Sequence, residues 1–221
     1  KIKGIVSSIS YGPQNSWDVK GGKIASEVLG FSWENLNASR KSHRDFCKNS
    51  LFSEIRKFAD LGVSSFYYQD VLPISMKLSE IDNSIVINGN TGDFITGGHL
   101  SNKEAHILSD DDICSRLYEK IYTNWKSSLK PNPILLNYIS EEIKRIKNKY
   151  NCDNALEVVY FFEWENRQAK YVISGQRVYD FFELAWKLPF WSIEYIVPHL
   201  NVKKEQILNQ NDLQKIYSFG L

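Results

Sequence analysis

Fifteen residues, Ile85 to His99, hold most of the chain's chemical potential: Ile-Val-Ile-Asn-Gly-Asn-Thr-Gly-Asp-Phe-Ile-Thr-Gly-Gly-His. Asn88, Gly89, Asn90, Thr91 and Gly92 precede a single carboxylate, Asp93, and Gly97 and Gly98 follow it. Glycines at the C-terminal end of a strand let backbone N–H groups approach a ligand closely, and that edge of an α/β sheet is where ligands bind. A lone Asp among such amides can hold Mg²⁺ through oxygen while the amides hold phosphate. The same composition also makes an ordinary tight turn rich in Asn, Asp and Gly. Spacing alone leaves both readings open.

The elements around this loop predict an α/β fold. Ile85, Val86 and Ile87 are a β-branched run without polar alternation, which suits a parallel strand buried on both faces. Lys1 to Ser10 reads as a strand, Tyr11-Gly12-Pro13 as a break, Ser16 to Leu29 as a helix stopped by Gly30, and Phe31 to Leu36 as a second strand. Together they have the size of a βαβ unit. Helices are expected over 42–61 and 65–78, the second with Pro73 kinking it or marking its start, ahead of the strand at Ile85. A three-layer parallel sheet with flanking helices follows from that alternation.

After residue 100 no β-like run of comparable strength appears, and an all-helical second half is expected. Ser109-Asp110-Asp111-Asp112 opens a helix running through Trp125. Further helices are expected over 134–150, 156–172 and 177–188, then two or three short ones over 192–218. The domain reading is an α/β nucleotide-binding part over 1–108 and a helical part over 109–221.

Composition narrows the function classes. The 221 residues are 43% hydrophobic and carry a formal net charge of +1, enough for a sizeable core and no electrostatic reason to expect nucleic acid or an anionic membrane. Cys47, Cys114 and Cys152 are odd in number and scattered, which argues against a disulfide framework or a zinc site and fits a reducing, cytoplasmic setting. No apolar run approaches the roughly 20 residues that cross a bilayer. His99 and His106 are two helical turns apart with no third ligand, so no metal site is expected there. His43 and Cys47 could touch on a helix, but nothing supplies an orienting acid, and they read as ordinary helix residues.

Asn88 to Asp93 followed by Gly97-Gly98-His99 resembles the second nucleotide motif of the asparagine synthetase family of PP-loop ATP pyrophosphatases, Ser-Gly-Glu/Asp-Gly-x-Asp-Glu-Leu-Phe-Gly-Gly-Tyr. Gly89, Asp93, Gly97 and Gly98 match in register. Asn88 stands where that family has Ser, and Asn90 and Phe94 where it has acids. Downstream, Arg177 and then Lys187-Leu188-Pro189-Phe190-Trp191 resemble the family's second cluster, with Lys187 for Arg, Ala185 for Glu and Ser192 for Asp. Glu163-Trp164-Glu165-Asn166-Arg167-Gln168-Ala169-Lys170 is similar to a segment of family members from surface-polysaccharide gene clusters, as are the Tyr11-Gly12 break and Leu29-Gly30-Phe31-Ser32-Trp33. The family's Ser-Gly-Gly-x-Asp-Ser loop, which holds pyrophosphate at a helix N-terminus, does not occur in these 221 residues. The first strand here matches the family's second.

The resemblance implies an ATP- and Mg²⁺-dependent ligase that adenylates a carboxylate, by the likeness to the polysaccharide-cluster branch a sugar carboxylate, and passes ammonia from a glutaminase domain or partner onto it. It implies Asp93 as metal ligand, with Arg177 and Lys187 facing phosphate or substrate. Tyr11, Gly12, Asn88, Gly89, Asn90, Thr91, Gly92 and Lys170 would contact the nucleotide. Lacking the pyrophosphate loop, residues 1–221 alone are expected to release no pyrophosphate. The opposing expectation is a non-catalytic binding or scaffolding relative, supported by the acids replaced at Asn90, Phe94, Ala185 and Ser192. Arg177, Lys187 and Lys170 equally suit a solvated face, capping helices or pairing with Glu163, Glu165, Asp180 and Glu183. Trp164, Phe181, Phe182, Trp186 and Trp191 read as core rather than as a base-stacking platform.

Overall fold

The computed structural model describes residues 6–37, 39–60, 68–78, 84–123 and 130–210. The chain is α/β, 66% of its described residues are helical, and it divides into two units. The first comprises Lys1–Val86 with Ser174–Trp186, the second Ile87–Ile173 with Lys187–Leu221.

In the first unit, β1 (Ser7–Tyr11), α1 (Trp17–Leu29) and β2 (Ser32–Leu36) form the expected βαβ unit, with β1 and β2 parallel from Ser7 opposite Ser32 to Tyr11 opposite Leu36. Ser16 caps α1 by accepting from Val19 N at 3.3 Å, and Gly30, at φ 70, ends it in the left-handed region. The expected helix over 42–61, whose residue 61 lies outside the described residues, is two helices, α2 (Arg40–Phe46) and α3 (Ser50–Ala59). Asn49 separates them: its Oδ1 accepts from Leu51 N at 2.9 Å and so starts a new helix. α4 (Tyr68–Leu78) carries Pro73 inside it, and residues 65–67 of that expected helix lie outside the described residues, as do residues 1–5 of the first strand. Phe52, Ile55, Ala59 and Val71 pack with Val178, Tyr179 and Leu184 in this unit's core.

β3 (Ile85–Ile87) corrects an expectation. It is not buried on both faces: Ile85 is 62% exposed and Ile87 71%. Only the central Val86 packs inward.

A short α5 (Gly92–Ile95) and α6 (Asn102–Ala105) follow. α7 (Asp110–Leu117) is capped by Ser109, as expected, and its last turn widens into a π turn at Tyr118–Tyr122; Trp125 lies outside the described residues. α8 (Pro133–Tyr150) buries Ile139, Ile143 and Ile146 on one stripe. α9 (Ala155–Glu163) is apolar almost throughout and runs into a π-helical stretch, Trp164–Val172, and then α10 (Ile173–Gly175).

The helix expected over 177–188 is also corrected. α11 spans only Arg177–Phe181, and β4 (Ala185–Lys187) follows, so the second half is not wholly helical. Glu183 at φ 56 breaks the helix, and Pro189 holds Leu188 out of the helical region. A 3₁₀ turn (Pro189–Trp191), α12 (Ile193–Leu200), α13 (Lys204–Ile207) and a last 3₁₀ turn (Leu208–Gln210) complete the described chain; residues 211–218 of the expected helices lie outside it.

The three-layer parallel sheet is not present among the described residues. Their strands form two parallel pairs, β1 with β2 and β3 with β4. The chemistry-bearing loop therefore leaves a three-residue, largely exposed strand. Its rigidity comes from packing onto helices.

Gly97 shows how close that packing is. Its φ is +87°, and a Cβ there would fall 1.9 Å from the Ile207 carbonyl oxygen. Gly97→Ala is expected to cost more than about 2 kcal/mol. Gly21, in α1 with open space around it, should gain about 0.5–1 kcal/mol as Gly21→Ala. Denaturant titration of both variants checks the opposite signs.

Candidate functional site

The loop after β3 is fixed by a buried hydrogen-bond chain within the second unit. Thr91 is 3% exposed and sits at φ 78, a costly left-handed conformation for a β-branched residue. Its hydroxyl donates to Gln168 Oε1 at 3.0 Å and accepts from Trp191 Nε1 at 2.8 Å. Gln168 is 2% exposed, and the π-helical stretch turns it inward. Phe190 lies against Gly92, where a Cβ would meet its ring at 2.9 Å. Asn88 Oδ1 accepts from Asn90 N at 2.9 Å, and Asn88 N donates to the Lys187 carbonyl at 3.0 Å. Three stretches far apart in sequence thus meet at one threonine.

Asp93 follows, its side chain 67% exposed. Oδ1 accepts from Phe94 N at 2.9 Å, and Oδ2 lies 3.0 Å from His99 Nε2. The His99 hydrogen bond, only partly opposed by burial, holds the Asp93 carboxyl below its usual pKa. Phe94, where the resembled family has an acid, is fully buried and stacks on Tyr160 at 4.4 Å and on Trp164 at 5.9 Å.

Behind Asp93 lies an ionic cluster. Glu163 is 1% exposed. Its Oε1 is 3.1 Å from Lys120 Nζ, and its Oε2 is 3.4 Å from both His99 Nδ1 and Arg167 Nη1. Arg167 Nη1 also reaches His99 Nδ1 at 2.6 Å, and Lys120 Nζ donates to the His99 carbonyl. Burial pushes the Glu163 pKa up. The His99 hydrogen bond and the charges of Lys120, His99 and Arg167 outweigh that and bring it down to about 2. For His99, burial works against the imidazolium, but hydrogen bonds to Asp93 and Glu163 leave its pKa raised. Next to this group, Glu104 takes Arg116 Nε and Nη2, both at 2.8 Å, and closes a capping box with Ser101.

The other sequence-predicted residues are spread over both units. Tyr11, 39% exposed at the end of β1, Gly12 at φ +127°, and Arg177 belong to the first. Arg177 Nη2 donates to the Phe58 carbonyl at 3.0 Å, and its guanidinium lies 4.9 Å from the Phe58 ring centroid, capping the end of α3. Lys170 and Lys187 are exposed residues of the second unit, and Lys170 Nζ donates to Asn166 at 2.6 Å. No hydrogen bond or ion pair joins either lysine to Asp93 among the described residues. Glu163 pairs with Lys120 and Arg167, and Glu165 with Arg145 and Lys149, rather than with the cations expected for them. Trp164 and Trp191 stack at 4.3 Å. His99, Glu163, Lys120, Arg167 and Gln168 carry roles that sequence reading missed. One signal was present: Glu163 ends the apolar run of α9, where a carboxylate is buried and must be paired.

Among the described residues, no group of three or more His, Cys, Asp or Glu side chains is arranged to hold a metal ion, and no helix is long and apolar enough to cross a membrane. Asp93 alone does fit a Mg²⁺ that arrives with phosphates, because such an ion commonly takes one or two protein carboxylates. Compared with known proteins, the chain matches no family model, no curated protein and no solved structure.

Two predictions follow from the buried polar groups. Thr91→Val strands Gln168 and Trp191 without their partner and should cost about 2–4 kcal/mol in a denaturant titration. Glu163, with its pKa lowered from 4.5 to about 2, should contribute on the order of 3 kcal/mol that is present above pH 4.5 and lost as pH falls through about 2. Unfolding followed against pH should show this loss in the native chain and lack it in Glu163→Gln.

Proposed function

We propose that this chain is the synthetase part of an asparagine synthetase-like, ATP-dependent ligase. In that reaction a carboxylate oxygen attacks the α-phosphorus of ATP and pyrophosphate leaves. Ammonia then attacks the activated carbonyl and AMP departs, leaving an amide.

One observation carries the reading. The glycine loop, the Glu163–Lys170 segment and the Lys187–Trp191 segment each resemble that family in order along the chain, and in the second unit they meet through Thr91, Gln168 and Trp191.

In this reading the backbone of Gly89 to Gly92 lies along the nucleotide. Gly89 has open space where a Cβ would be, as a close ligand approach requires. Asp93, exposed and ionised, would hold the Mg²⁺ that accompanies ATP, an ion that neutralises charge on the leaving pyrophosphate. Lys187 and Lys170, in the same unit as Asp93, are the cations assigned to phosphate or substrate. The substrate class is a sugar carboxylate, by likeness of the Glu163–Lys170 segment to the polysaccharide-cluster branch. Ammonia comes from a glutaminase domain or partner, in the cytoplasm.

A non-catalytic relative is the second reading, and Phe94 favours it: a position where the family has an acid is here fully buried in an aromatic core. Carboxylate-dependent ATP–pyrophosphate exchange by the protein as its source cell makes it decides between them. Exchange with a sugar acid, reduced about 10²-fold or more in a normally folded Asp93→Asn variant, is the expected result. Absence of exchange across a panel of carboxylates, or exchange indifferent to Asp93→Asn, overturns the ligase reading.

A further inference from the structure

We propose that His99 is the positioning residue for Asp93: a ring locked by Arg167 and Glu163, on a backbone held by Lys120, that fixes the direction in which the Asp93 carboxylate faces Mg²⁺ and nucleotide. The proposal rests on the ligase reading for what Asp93 faces, but the positioning itself is a property of the chain.

An Asp side chain that is 67% exposed ordinarily rotates freely. Here both oxygens are held, Oδ1 by Phe94 N at 2.9 Å and Oδ2 by His99 Nε2 at 3.0 Å. A carboxylate oxygen has two lone-pair directions, so each oxygen keeps one open, and the two open directions are set by the two hydrogen bonds.

His99 can impose that direction because it is itself immobilised. Its side chain is 15% exposed. A guanidinium only donates, so Nδ1 accepts from Arg167 Nη1 at 2.6 Å in the neutral ring, and the ring proton sits on Nε2, facing Asp93. The charged ring gives up the hydrogen bond from Arg167, its Nδ1–H faces Glu163 Oε2 at 3.4 Å instead, and Nε2 still carries its proton. Both protonation states therefore donate to Asp93. The His99 carbonyl takes Lys120 Nζ, and the ring packs against Phe94 at 5.9 Å. The arrangement is that of an outer-shell partner fixing a metal-facing group.

Two variants separate positioning from bulk stability. His99→Phe keeps an aromatic ring against Phe94 and removes both nitrogens; His99→Gln keeps a neutral N–H donor at similar reach. The primary readout is the Phe94 amide of the purified 221-residue chain by ¹⁵N–¹H NMR, since that N–H is bonded to Asp93 Oδ1. His99→Phe should shift this amide upfield and speed its hydrogen exchange about tenfold, with His99→Gln restoring native behaviour. Arg167→Gln, which takes the guanidinium away from Nδ1 and from Glu163 while leaving the His99 ring in place, should give a smaller change and serves if His99→Phe does not fold. In pyrophosphate exchange, His99→Phe should raise KM for Mg·ATP about tenfold while kcat changes little, and His99→Gln should recover it. An unchanged Phe94 amide in His99→Phe and Arg167→Gln, or a fall in melting temperature with neither that amide nor KM affected, overturns the proposal. Loss of the ligase reading alone shows differently: the native protein exchanges with no carboxylate, yet the Phe94 amide still responds to His99.

Discussion

A carboxylate at the end of an apolar helix is the constraint on which the second unit depends. Glu163 is carried into the core by the run Ala155–Phe162, nearly all of which is buried. Once there, it must be paired, because an uncompensated buried charge costs several kcal/mol. Lys120 meets it from the π turn after α7, Arg167 from one turn further along its own helix, and His99 from the end of the glycine loop. A single buried charge thus fixes the relative placement of three segments.

The same unit solves a second buried charge by different means. Lys204 is 2% exposed, and no carboxylate neutralises it directly among the described residues. Its Nζ donates to the carbonyls of Leu200 and Val202, each at 2.8 Å, and lies 4.1 Å from the Tyr160 ring centroid. Burial takes its pKa down to about 8. Carbonyls at the end of α12 and an aromatic face hold a cation that nothing needs to move. The contrast with Glu163 is informative. Lys204 is closed off by backbone, whereas Glu163 hands its constraint through His99 to the exposed Asp93.

Local signals in the sequence were read well where a single residue decides the backbone. Ser109 caps its helix, Gly30 ends α1, and the β1–α1–β2 crossover is parallel as its length predicts. Patterns that depend on distant partners were not. Ile85-Val86-Ile87 has the composition of a central strand, but β-branched residues state only that a pleated surface suits them, and its partner among the described residues is a three-residue strand. That partner, Ala185–Lys187, has helical neighbours on one side and exists because Glu183 and Pro189 bracket it with backbone that no helix accepts.

The candidate site divides in the same way. Asp93 and the glycines were visible because their chemistry is local. The residues that hold them were hidden by separation: Thr91 meets Gln168 across 77 positions and Trp191 across 100. The π-helical stretch hides them further. The stretch Trp164–Val172 turns Gln168 and Val172 inward and carries Arg167 beside Glu163, and nothing in the local sequence announces that it is π-helical. A π stretch keeps fewer good backbone hydrogen bonds than an α-helix, and its persistence here requires compensation from the side chains it orients. The Gln168–Thr91 bond and the Arg167–Glu163 pair are such compensation. They are also the contacts that shape the loop and lock His99, so the π stretch and the ordered loop stabilise each other.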